Sequence, residues 1–177
     1  MTTNSPAGFS ILPAALASET VFQNGLSDRI TIHCQDIRNI GAEALSGAAD
    51  MVICNPPFRK CETGRVSPNS ERAIARHEIS TTPDEILAAA GRMLKPAGEF
   101  VVIYPVSRLM DIVFTMRRSG IEPVLLRMIH SRIDDSAKLI LLKGHRKSRA
   151  GISVLPPLII YCSDGTYTEE AGKMFQP

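Results

Sequence analysis

The sequence predicts an α/β protein whose sheet is mostly parallel and closes with an antiparallel hairpin. Three observations carry that reading. The segment 50–54 is an almost wholly apolar run of strand length, as expected of a strand buried on both faces. Helical patterns at 82–94 and 107–119 alternate with strand patterns, which is how a layered α/β sheet is written. Two late strand patterns, 123–130 and 137–143, are separated only by the short polar stretch 131–136, the mark of a hairpin at one edge.

The elements follow in order. Residues 14–24 carry Leu16, Val21 and Phe22 and stop at Asn24-Gly25, a helix ended by glycine. Residues 29–34 alternate as a short strand, with Asp36 just past its end. After the strand 50–54, Thr82 is a candidate cap with Pro83 at the first helical position. Asp84 and Glu85 suit the positive end of the helix dipole, and Ile86, Ala89, Ala90, Met93 and Leu94 form an inner stripe. Gly98 precedes a strand at 99–104. The helix at 107–119 presents Leu109, Ile112, Val113 and Met116 to the core, places Arg117 and Arg118 at its negative end, and stops at Gly120.

A chain of 177 residues with 44% hydrophobic content is expected to be a single globular domain over residues 1–177. No apolar run is long enough to span a bilayer, and no basic stretch precedes the short apolar N-terminal segment, so a cytoplasmic protein without a membrane partner is expected. Cys34, Cys54, Cys61 and Cys162 lack the spacing of a metal site and are read as reduced, with Cys34 and Cys54 closing apolar runs where a small thiol packs well.

Asn55-Pro56-Pro57-Phe58, at the end of the 50–54 run, is the most informative motif. The two prolines fix their own φ and push the residues before them into extended conformations. The Asn55 side chain and the Asn55 and Pro56 carbonyls are thereby held with little entropy left to lose. Two fixed acceptors can hold the protons of one amine and leave its lone pair free to attack, while Phe58 offers a stacking surface. An ordinary strand-ending turn is the alternative, since Asn and Pro are common in turns.

The net charge of +2 is too small to argue for nucleic acid, so its distribution matters more. Arg59, Lys60, Arg65, Arg72, Arg76 and His77 follow the motif against only Glu62 and Glu71. A second basic run holds Lys143, His145, Arg146, Lys147 and Arg149. Lys and Arg supply the phosphate contacts that dominate RNA affinity, and a target base must be splayed out to be reached. Solvated charged loops are the alternative for both stretches.

The tetrapeptide resembles the Asn/Asp-Pro-Pro-Tyr/Phe motif of S-adenosylmethionine-dependent amino-methyltransferases. The residues after it, Gly64-Arg65-Val66-Ser67-Pro68-Asn69 and Arg72-Ala73-Ile74-Ala75-Arg76-His77-Glu78, resemble the corresponding segment of bacterial tRNA adenine-N6 methyltransferases, the kind that modify an adenine beside the anticodon of a valine tRNA. The resemblance continues through Leu94-Lys95-Pro96, Tyr104 and Val154-Leu155-Pro156-Pro157-Leu158-Ile159-Ile160-Tyr161, covering about residues 14 to 170.

The resemblance implies a Rossmann-like methyltransferase sheet, S-adenosyl-L-methionine as cofactor and tRNA as partner. It gives Asn55, Pro56, Pro57 and Phe58 the catalytic notch, Asp36 and Asn55 the cofactor, and Arg59, Lys60, Arg65, Arg72, Arg76 and His77 the RNA. No metal is implied. His77 as a general base is less apt than a structural or RNA role, because an exocyclic amine loses its proton readily after methylation.

The chain departs from the family pattern at its start. Family members begin with a further strand and a glycine-rich loop that approach the methionine part of the cofactor. Residues 1–13 hold only Gly8, and Ser10 and Ile11 stand where an acid for the ribose is usual. The domain is therefore expected to be N-terminally incomplete, with two unpaired strand edges in mid-sheet, and to hold the cofactor poorly by itself. A shortened gene, an assembly in which another chain fills the gap, and a degenerate paralogue are the three explanations. Two other functions stand beside the main one: a protein-glutamine N5-methyltransferase of release-factor type, and a non-catalytic RNA-binding remnant.

Overall fold

The computed structural model describes residues 11–45, 47–56, 82–148 and 150–175. The chain divides into two compact units, Met1–Ile40 with Arg59–Ser80, and Gly41–Phe58 with Thr81–Pro177. In the first unit, α1 (Ile11–Gln23) forms as expected, three residues longer at its start than the periodicity predicts. It ends at Gly25, whose φ of 65° lets the Leu26 amide donate back to the Val21 carbonyl at 3.0 Å. The strand expected at 29–34 does not form; these residues are irregular. Alternation prepares a chain for a sheet edge, but a strand exists only where a ladder accepts it. No described strand pairs with these residues, and Cys34 is exposed rather than packed.

The second unit holds the sheet. β1 (Ala49–Cys54) lies parallel to β2 (Leu94–Pro105), which pairs antiparallel with β4 (Leu139–Arg146). β4 in turn pairs antiparallel with β3 (Ile121–His130). Two short strands, β5 (Ser153–Val154) and β6 (Leu158–Ile159), both run parallel to β3. The order is β1-β2-β4-β3-β5, so among the described residues β1 ends the sheet. The predicted hairpin at 123–130 and 137–143 is the β3–β4 pair, and its second strand starts and ends later than the sequence suggests.

Two helices line one face. α2 (Pro83–Met93) starts with the anticipated cap: the Thr82 hydroxyl accepts from the Glu85 amide at 3.3 Å, and the Glu85 carboxylate accepts from the Thr82 amide at 2.8 Å. Leu94, read from its periodicity as helical, is instead the first residue of β2, although it is buried as expected. A single 3₁₀ turn, Val106–Arg108, replaces the first residues of the predicted helix 107–119 and leads into α3 (Leu109–Arg118). An Arg118–Asp84 ion pair links the two helices.

The core lies between these helices and the inward positions of the sheet. Ile86, Leu87, Ala89, Ala90, Ile112 and Met116 pack with Ile121, Ile140, Leu142, Phe100, Val102 and Tyr104, all nearly or wholly excluded from water. Gly144 is required where β4 passes under α3. A Cβ there would press on Met116 and lie 2.8 Å from the Ile121 side chain. A short helix, α4 (Glu169–Lys173), capped by the Thr168 hydroxyl, closes the described chain.

Candidate active site

Because β1, β2 and β3 run in the same direction, their carboxyl ends share one edge of the sheet. Ligands of α/β sheets lie over such edges. Asn55 and Pro56 emerge there directly from β1: Asn55 is exposed, and Pro56 is buried. The proline anchors the turn while the asparagine amide faces outward without a hydrogen-bond partner among the described residues. An exposed acceptor held on a buried support is what holding an incoming amine requires. Pro57, Phe58, Arg59, Lys60, Arg65, Arg72, Arg76 and His77 lie outside the described residues.

Around Asn55 the site is built from β2. The parallel register pairs Cys54 with Val102, so the motif is level with the last residues of β2. Burial pushes the Cys54 thiol and the Tyr104 hydroxyl above their ordinary pKa values, and both stay neutral. Arg108, in the 3₁₀ turn after β2, sets its guanidinium carbon 5.6 Å from the centre of the Tyr104 ring and bonds Asp111 at 3.3 Å. Only the fold brings this pair beside the notch; its sequence signal was the Tyr-Pro that ends an apolar strand.

Asp36 belongs to the other unit. Its carboxylate is held through both oxygens by its own neighbour, with Arg38 Nε at 3.0 and 2.9 Å and the Arg38 amide at 2.9 Å, and the side chain is 17% exposed. The Arg38 hydrogen bonds hold this carboxyl below the usual carboxylate range.

The structure places three residues of the second basic run within the sheet. Lys143, His145 and Arg146 stand on β4 at the far end of the sheet, where His145 pairs with Glu99 and Arg146 with Ile121. From there to the carboxyl end of β2 is about 20 Å at ~3.3 Å per residue. They are also engaged: Glu99 Oε1 takes Lys143 Nζ and His145 Nε2, each at 2.9 Å, and Arg146 donates to the Leu94 carbonyl at 2.6 Å. Charge was legible in the run, but its structural use was not.

Glu99 is held below its ordinary pKa, first by the Lys143 hydrogen bond and then by the charges of Lys143 and His145. A carboxyl depressed by folding contributes stability above its unfolded pKa, about 4.3, and loses it as pH falls through the folded value. Glu99→Gln is therefore expected to flatten the acid side of the stability profile below about pH 4.3. Urea midpoints across that range check it, and an unchanged acid limb would show that the cluster does not couple to folding.

No protein-family model matches the chain. Sequence relatives carry the name tRNA1(Val) (adenine(37)-N6)-methyltransferase. The protein of Porphyromonas gingivalis is 28% identical over 94% of this chain and 66% of its own length. That of Dyadobacter fermentans is 30% identical over 84% of this chain and 60% of its own. That of Serratia proteamaculans is 29% identical over 91% and 60%.

This chain is a relative of the tRNA adenine-N6 methyltransferases.

The chain spans 60% to 66% of the length of these relatives. Among solved structures, one described as a predicted O-methyltransferase from Agrobacterium tumefaciens superposes with a TM-score of 0.68 at 17% identity, over 93% of this chain and 73% of that one. A modification subunit of a type I restriction enzyme from Vibrio vulnificus gives 0.56 at 15%, over 94% and 38%. At such identities the likeness speaks to the fold alone: the sheet is a Rossmann-like methyltransferase sheet. Among the described residues no helix is long and apolar enough to cross a membrane.

Proposed function

We propose that this chain carries the base-binding part of a methyltransferase that acts on the exocyclic N6 amine of an adenine in tRNA, in the cytoplasm. The observation that carries the reading is Asn55, exposed and without a partner among the described residues, at the carboxyl end of β1 beside the buried Pro56, in a relative of tRNA adenine-N6 methyltransferases.

The Asn55 side-chain oxygen and the Pro56 carbonyl accept the two amine protons, orienting the nitrogen lone pair away from the notch. Phe58 stacks on the adenine ring, with Pro57 fixing its approach. Positioning and exclusion of water then do most of the work. S-adenosyl-L-methionine, when bound, supplies the electrophilic methyl group. Asn55 fits that role through its exposed side-chain amide, whereas each Asp36 oxygen already accepts two bonds from Arg38. Arg59, Lys60, Arg65, Arg72, Arg76 and His77 hold the tRNA.

The direct test is transfer of a labelled methyl group, with N6-methyladenosine in valine tRNA as the expected product. Labelling of a release-factor glutamine instead would favour the glutamine reading. For the RNA contacts, replacing any one of Arg65, Arg72 and Arg76 is expected to reduce the slope of log affinity against log salt by about 0.7 to 0.9. Equal tRNA affinity after replacing all three would count against their role.

A further inference from the structure

Three aromatic rings stand in a row near the end of the described chain. The Tyr161 and Tyr167 ring centres are 5.2 Å apart with planes 24° from parallel, and Phe175 follows Tyr167 at 5.0 Å and 37°. A cluster that served only to pack would hide its rings, yet Tyr167 is 49% and Phe175 70% exposed.

The row is rigidly mounted. The Ile160 amide donates to the His130 carbonyl at 3.0 Å and the Tyr161 amide to the Ser131 carbonyl at 2.9 Å, which fixes Tyr161 just past the carboxyl end of β3. The Thr168 hydroxyl donates to the Ile159 carbonyl at 2.7 Å, and Arg127 ties Glu170 at 2.7 Å and the Pro156 carbonyl at 2.9 Å. Because β1 and β3 are parallel in direction, the rings occupy the same end of the sheet as Asn55. Four strand spacings from β1 through β2, β4 and β3 to β6 separate them, about 20 Å at ~4.8 Å each.

Charge does not explain the surface. Glu170 is paired with Arg127 and Glu169 with Lys173, and Asp164, whose oxygen accepts from the Thr166 amide and hydroxyl, is an acid beside the row. The exposed Tyr167 and Phe175 rings, held in place beside the half-buried Tyr161 and without a basic excess, suit nucleobase faces, which stack on aromatics whatever their sequence.

We propose that Tyr161, Tyr167 and Phe175 form a stacking platform for unpaired bases of the RNA whose target adenine enters at Asn55. The inference rests on the tRNA reading above and adds a second contact to it. Affinity here comes from stacking, so it differs in kind from the phosphate contacts of the arginines.

The chain contains no Trp and three Tyr, two of them in the row, so its intrinsic fluorescence reports on the platform. Titration of the 177-residue chain with an RNA stem-loop is expected to quench that emission, and a fully paired duplex is not. Phe175→Ala and Tyr167→Ala are each expected to weaken stem-loop binding by about fivefold to a hundredfold, without changing the salt slope. Tyr167→Phe, which keeps the ring, should bind as the parent does. Parental affinity in both alanine variants would overturn the platform and leave the tRNA reading standing. Full affinity in Phe175→Leu would overturn stacking in favour of an apolar protein contact. Failure of the parent chain to bind the stem-loop at all would overturn the tRNA reading together with the platform.

Discussion

Asn55→Ala is expected to lower the rate of methyl transfer to tRNA by about a hundredfold or more, corresponding to about 3 kcal/mol of transition-state stabilisation. The side chain is exposed and has no partner among the described residues, so its removal does not disturb the fold. Its contribution lies in accepting an amine proton while the nitrogen gains positive charge, when an aligned acceptor is worth most. His77→Ala is expected to do much less, because the proton leaves after the methyl group has arrived. Single-turnover rates separate the two, and near-parental turnover in Asn55→Ala would remove the notch from the mechanism.

The largest effect on stability is expected at Phe100. Its side chain is wholly buried, and its backbone pairs with Val52 on β1 and with Gly144 on β4. Truncation to alanine removes the greater part of an aromatic side chain from the layer beneath α2 and α3. A loss of about 3 to 5 kcal/mol is expected, a large share of the roughly 5 to 15 kcal/mol that stabilises an ordinary domain. The urea midpoint should fall steeply with little change in slope. A loss below about 1 kcal/mol would mean that the layer collapses to fill the space.

Elements whose signals are local were legible in advance. Thr82-Pro83-Asp84-Glu85 contains its own cap, proline and dipole partners within one turn, and the helix begins where those residues say it must. The apolar run before Asn55 is a strand with Asn55 at its carboxyl end as expected, but the burial expected on both faces is not met: β1 pairs with β2 alone among the described strands, and Met51 and Ile53 are 46% and 74% exposed. The strand expected at 29–34 shows where local reading stops: alternation describes a face, while a ladder needs a neighbour that the local pattern does not supply. β5 and β6, two residues each, are too short to carry a period and exist only because β3 offers them an edge.

The candidate site divides in the same way. By itself, the sequence determined the local stiffness of the Asn55-Pro56-Pro57 turn, because prolines constrain their neighbours through covalent geometry, which acts over one or two residues. It also supplied the family resemblance, from the residues that follow. Only the tertiary structure decided where the charges and rings stand. Lys143 and His145 bind Glu99 at the end of the sheet away from Asn55, and Arg108 lies over Tyr104 beside the notch. Tyr161, Tyr167 and Phe175 become a row because a turn and a short helix bring them together past β3. Pairings of this kind depend on which distant segment a strand lies against, and the packing of the whole sheet settles that.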